Sequence, residues 1–264
     1  MKKFLLSGLL LLGMILISGC AEVTEVTPEN VDVIAQAIQS KYNTITAYES
    51  KTLEILNDGS IIAGRMAAKK PDKYFDMASW EGTTLLSHVE VCNGQKDQIY
   101  TSDYGRIDTY DRDCKPRVDS VFEVIDTIKK IANYKNTIKL IKLSHANGDY
   151  KEILFLGPTS SYEKDKAKIL ATSSGGFSIA ERNVPGQLEN WDGVEASFTD
   201  ETGHTYKMIF LASTYQIIKI EQTSQSGEKR VHYYSDIQFN DDVQDNYFTM
   251  PTIDEINALK ETYG

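Results

Sequence analysis

Hydrophobic and polar positions change their period along this chain of 264 residues, and each change predicts a different element. Phe4 to Ile17 is an apolar run broken only by Ser7, Gly8 and Gly13. Val31, Ile34, Ile38 and Tyr42 then recur at helical spacing. They follow Thr27-Pro28-Glu29, which reads as a capping hydroxyl, a proline at the first helical position and an acid in the first turn. From Ile45 to about Tyr110 the period drops to two, predicting strands at about 46–57, 60–69, 73–79, 84–92 and 95–103 and a shorter one near 106–110. Asp58-Gly59 and Asn93-Gly94 are pairs that tight hairpins favour, and Glu81-Gly82 supplies a further turn. Strands joined so tightly must be antiparallel. In the fourth, Leu85, Val89 and Val91 share a face opposite His88, Glu90 and Cys92, which predicts one dry and one wet side.

A second helix is expected from Asp119 to Asn133. Val121, Phe122, Ile125, Ile128 and Ile131 form its stripe, and Lys129 and Lys130 sit near the end where the helix dipole favours cations. Alternation resumes at about 137–145 and 149–156 around Asn147-Gly148. Between Gly157 and Asp192 the glycine, proline, serine and charge content argues for loops, with 167–172 and 176–182 the stretches that could be strand. Strands follow at about 193–200, 203–212 and 215–223, then a long one at 228–239. Thr252-x-x-Glu255 is a capping box opening a last helix to about Thr262, with Ile256 and Leu259 on its apolar side. No βαβ rhythm appears, so the predicted class is α+β. The economical architecture is a single strongly curved antiparallel sheet, a half-barrel of roughly ten or eleven strands with helices covering its concave face.

The first residues set the compartment. Lys2 and Lys3 head the apolar run, and Ile17-Ser18-Gly19 places small residues just ahead of Cys20, the layout of a secretory signal. It resembles a lipoprotein signal, in which Cys20 would carry a diacylglycerol, with palmitate-like chains, and become the first residue. The expected organisation is a signal peptide at 1–19, a lipidated tether at 20–28 and one domain at 29–264, anchored to the membrane on its extracytoplasmic side. Loss of 19 residues from 264 leaves 245, enough for a large core. The formal charge of −10 becomes −12 when Lys2 and Lys3 leave with the signal. An acidic surface repels phosphate backbones, which sets nucleic acid aside as a partner. Cys92 and Cys114 are left, either bridged, as this compartment favours, or as two free thiols.

The search for chemistry finds no metalloprotease, nucleophile-elbow, dinucleotide or phosphate-loop motif. His88, His145, His204 and His232 are scattered, and Asp108, Asp111 and Asp113 lack the glycine and distal glutamate of a calcium loop. No catalytic residue, metal or cofactor is therefore expected. The apolar strand faces are the better candidates for a hydrophobic ligand: Leu85, Val89 and Val91; Tyr206, Met208 and Phe210; and Val231, Tyr233, Ile237 and Phe239. The competing reading of each is ordinary core.

Several segments together resemble the LolA/LolB-like lipoprotein carriers and their envelope relatives. They are Lys69-Lys70-Pro71-Asp72-Lys73-Tyr74, then Thr84-Leu85-Leu86-Ser87 running into Cys92-Asn93-Gly94 and Ile99-Tyr100. Later come Tyr215-Gln216-Ile217-Ile218-Lys219-Ile220, Tyr234-Ser235-Asp236-Ile237-Gln238-Phe239-Asn240 and Asp245-Asn246-Tyr247-Phe248-Thr249-Met250-Pro251. The resemblance implies an open half-barrel whose concave side accepts acyl chains, of a lipid or a lipoprotein, without catalysis or cofactor. Phe75 stands where many carriers have an arginine, and an anchored chain is nearer to membrane-bound receivers than to a diffusing shuttle. A non-catalytic sensor or interaction domain for an envelope protein partner is the alternative on the same fold.

Overall fold

The structure, a computed structural model, describes residues 30–80, 88–144, 147–150, 152–154, 180–182 and 191–256. The signal, Cys20, Thr27-Pro28-Glu29, Glu81-Gly82, Leu85, His145, the stretch 167–172 and Leu259 lie outside them.

Helix α1 spans Val31–Asn43 with Asn30 at its cap position, and it buries Val31, Ile34, Ala35, Ile38 and Tyr42. Six strands follow: β1 (Ala47–Ile55), β2 (Ile61–Lys69), β3 (Lys73–Trp80), β4 (His88–Asn93), β5 (Lys96–Thr101) and β6 (Arg106–Asp111). Helix α2, Lys115–Lys129, runs into a 3-10 stretch at Lys130–Thr137. It starts ahead of the expected Asp119 because Pro116, whose missing N–H costs nothing in a first turn, already opens it. Then come β7 (Lys139–Lys142), β8 (Glu152–Leu154), β9 (Ala180–Arg182), β10 (Asp192–Thr199), β11 (Thr205–Leu211), β12 (Ile217–Thr223) and β13 (Lys229–Phe239).

Eleven strands form one antiparallel sheet in the order β6-β5-β4-β3-β2-β1-β13-β12-β11-β10-β7, open at both edges, while β8 and β9 make a separate ribbon. The sheet is thus two meanders joined where β1 pairs with β13. With its helices it is a curved α+β half-barrel, as the periodicity predicts. The β4–β5 hairpin differs in detail. Asn93 pairs with Lys96, so the central turn residues are Gly94 and Gln95. Gly94 carries the positive φ, +78°, that a side chain would resist.

Two cores lie on opposite faces of the sheet. On the helix side Ile34, Ile38, Tyr42, Phe122, Ile125 and Ile128 pack on Val194, Phe198, Met208 and Phe210. The Tyr42 hydroxyl fixes α1 to the second meander, accepting the Ile217 N–H at 2.9 Å and donating to the Tyr215 carbonyl at 3.2 Å. The other face, which the alternation of β4 marks as dry, is covered as well. Val89, Val91, Phe75 and Met77 meet Tyr233, Val243, Tyr247, Phe248 and Ile256 there. The capping box holds that last element: Thr252 N–H donates to Glu255 Oε2 at 2.7 Å, and Glu255 N–H to Thr252 Oγ1 at 3.2 Å.

Beneath this second face lies a buried ion pair, Glu49 and Arg65, exposed by only 1% and 3%. Arg65 Nε donates to Glu49 Oε1 at 2.7 Å and its Nη2 to the Tyr247 hydroxyl at 2.6 Å. Asn240, at φ 54°, clamps the start of β1: its Oδ1 accepts Thr46 N–H at 2.8 Å and Ala47 N–H at 3.3 Å.

Candidate functional site: a cavity beneath the second helix

The helices fill the two halves of the sheet unequally. Over β10–β12 the aromatic side chains of α1 and of residues 130–137 close the interior, with Tyr134 stacked on Phe198 at 4.4 Å between ring centres. Over β1–β5 the stripe of α2 meets smaller residues, and a cavity of about 730 Å³ remains. The register shows how it is built. Tyr48 and Tyr74 flank Ala68 at the inner end, Met66 and Asp76 are paired one step outward, and Gly64 and Ala78 lie beside His88 and Thr101 a step beyond. Glu54 and Ile62 form the outer rung, and Ser102 and Asp103 add to the wall from the turn after β5. Ser120, Val121 and Val124 of α2 form the roof, and His232 and Tyr234 of β13 complete the side.

Gly64 leaves the floor low. A Cβ there would stand 2.6 Å from the Met77 carbonyl oxygen, closer than packing allows, so the strand carries no side chain at that point.

The wall that sequence alternation marked as wet is interior and charged. Glu90 accepts Arg117 Nε at 2.9 Å and lies 3.4 Å from His88 Nε2. Burial alone would raise the Glu90 carboxyl, but the His88 hydrogen bond and the Arg117, His88 and Arg112 charges bring it below the ordinary carboxylate range. Arg112 also donates to the fully buried Asp97. This network and the Cys92–Cys114 disulfide, with Cα atoms 5.5 Å apart, pin the start of α2 to β4 and β5. Glu54 lies 3.7 Å from His232 Nε2, whose protonation burial disfavours.

Asp76 differs from its neighbours: among the described residues no lysine or arginine forms an ion pair with it. Burial pushes its carboxyl up to about 6, the His88 charge opposing and the Glu90 charge adding to the rise. An acid whose folded pKa lies above its unfolded value stabilises the fold only while protonated, and that contribution is lost as pH rises through about 6. Asp76→Asn is therefore expected to be more stable than the parent by about 1–3 kcal/mol at neutral pH, the lower part of the range reflecting solvent reaching the carboxylate through the cavity. Urea titrations should show the gap narrowing as the pH falls from about 6 toward the ordinary value of 3.8, and closed below it. A gap independent of pH would mean that the charge is not the cause.

The residues marked as lining in the sequence are distributed differently. Tyr206, Met208, Phe210, Ile237 and Phe239 lie in or against the helix-side core, while Val89, Val91, Val231 and Tyr233 lie in or against the core on the opposite face. None of these nine is in the cavity wall, and Leu85 is outside the described residues. The split within β13 has a local cause. Lys51 pairs with Ser235 but Glu49 with Gln238, a bulge at Asp236 (φ 49°) that shifts the alternation by one residue. Tyr48, Met66, Tyr74 and Val124, which do line the cavity, lie on strands and a helix the sequence identified, but only the register brings them together.

The acidic stretch before Cys114 is spent locally: Asp108 pairs with Arg106 at 2.9 Å, and Asp113 Oδ1 accepts the Lys115 N–H at 2.9 Å. Among the described residues no three histidine, cysteine or acidic side chains gather as metal ligands, and no helix is long and apolar enough to cross a membrane.

No protein-family profile matches the sequence, and no curated protein matches it. Solved structures do. One is the lipoprotein LppX of Mycobacterium tuberculosis, 6% identical over 83% of this chain and 99% of that one, with a TM-score of 0.37. Another is a MucA/MucB complex of Pseudomonas aeruginosa, 7% identical over 84% of this chain and 61% of that one, at 0.30. Scores of this size leave the functional argument to the cavity itself. A third is a LolA superfamily protein of Nitrosomonas europaea, 10% identical over 83% of this chain and 97% of that one, with a TM-score of 0.28.

Proposed function

We infer that this chain is an extracytoplasmic protein, anchored through lipid on Cys20, that holds a hydrophobic ligand such as a lipid or the acyl chains of a lipoprotein beneath α2. The observation that carries the reading is the cavity of about 730 Å³, which falls among small-molecule sites of roughly 300–1,000 Å³. Its inner end offers apolar and aromatic surface from Tyr48, Met66, Tyr74, Val121 and Val124. Two observations support the compartment: the signal-like first residues, and a disulfide of the kind that persists outside the reducing cytosol. Binding suits the wall better than catalysis. Its histidines face carboxylates, and the Ser120 hydroxyl is engaged by its own helix, donating to the Arg117 carbonyl at 2.8 Å.

Native mass spectrometry of the full chain extracted from membranes should find a co-purifying hydrophobic molecule, and a mature N-terminus at Cys20 bearing a diacylglycerol mass. Val124→Trp should fill the cavity from its roof and lower uptake of a neutral fluorescent alkyl probe by about tenfold or more, with the melting temperature nearly unchanged. An empty protein that takes up no probe, yet crosslinks in cells to a stoichiometric protein partner, would favour the interaction-domain alternative.

A further inference from the structure

We propose that the cavity selects an amphiphile with a positively charged head, an amine or a quaternary ammonium, over fatty acids and anionic phospholipids. The inference rests on the ligand-binding reading above and adds the chemical class. Glu54, Asp76 and Asp103 all contribute to the wall, and among the described residues no lysine or arginine does. Glu54 has His232 Nε2 at 3.7 Å and Arg230, itself exposed, at 3.8 Å. Arg117 and Arg112 are engaged by Glu90 and Asp97 behind the wall. Asp76 faces the void, supported by the His88 charge, the Met77 N–H and, more weakly, the charge of Arg117.

An anionic head would meet these carboxylates in a partly desolvated space, where like charges repel more strongly than they do in water. A cation would find in Asp76 a carboxylate with which no described lysine or arginine forms an ion pair. The rings of Tyr48, Tyr74 and Tyr234 stand in the same wall and present the kind of face to which quaternary ammonium groups are attracted. Val121, Val124 and Met66 offer apolar surface to the tail.

The test uses the full chain kept soluble in digitonin, with a neutral fluorescent alkyl probe displaced at neutral pH by dodecyltrimethylammonium, dodecanol or dodecanoate. The ammonium compound is expected to displace the probe at a concentration about tenfold below that of dodecanoate, with dodecanol between them. Asp76→Asn combined with Asp103→Asn should shrink that preference to within about threefold. Dodecanoate displacing as strongly as the ammonium compound overturns the head-group inference alone, as does a preference that survives the double substitution. A neutral probe that never binds overturns the ligand-binding reading and this inference with it.

Discussion

Arg65→Ala is expected to destabilise the protein by about 3–5 kcal/mol, the cost of leaving a buried carboxylate without its partner. Glu49 is 1% exposed, and the guanidinium supplies its nearest positive charge while also meeting Tyr247, the ring centre 4.9 Å away. Truncating Arg65 therefore exposes two costs together: an uncompensated anion, and the loss of the side chain that ties the C-terminal segment to the sheet. For a domain of this size each kcal/mol moves the midpoint by about 2–4 °C, so a drop on the order of 10 °C is expected in a thermal melt. Replacing both partners, Glu49→Met with Arg65→Met, should recover most of the loss, since two apolar groups leave no buried charge. If the single variant melts within a degree or two of the parent, Glu49 is either hydrated or neutral, and the account of this face is wrong.

Removing the disulfide, as Cys92→Ala with Cys114→Ala, is expected to cost about 3 kcal/mol, the loop-closure entropy of a bridge between residues 22 apart in the chain. The effect on binding follows from position. Cys114 immediately precedes α2, and α2 roofs the cavity, so loosening its first turn should weaken probe uptake even at temperatures where the fold persists. Melts of the parent with and without reductant, run beside the double variant, separate the bridge from the loss of two sulfur atoms. Coincident curves for all three would remove the bridge from the stability account.

Much of the fold was legible because antiparallel strands with one apolar face write a period of two into the chain, and hairpins mark their turns with glycine. Val121, Phe122, Ile125, Ile128 and Ile131 likewise announced α2, and all five are buried. The candidate site was less legible. A buried ionic wall and a solvated strand face share one composition, so His88 and Glu90 read as a wet face although they line or back the cavity. The phase shift at Asp236 was equally hidden, because a bulge is a property of pairing and leaves the run of residues from Val231 to Phe239 looking uniform. The covering of the second face came from Tyr247 and Phe248, on a 3-10 turn too short to show any periodicity.

The seam between β1 and β13 governs when the binding chamber can exist. Tyr48 comes from near the beginning of the described chain and Tyr234 from near its end, yet both belong to one wall. Contacts of such long sequence separation form late and slowly. A chain made from its N-terminus therefore lacks a complete wall until Tyr234 has been added and β13 has paired with β1, so a chamber of this form belongs only to the finished sheet.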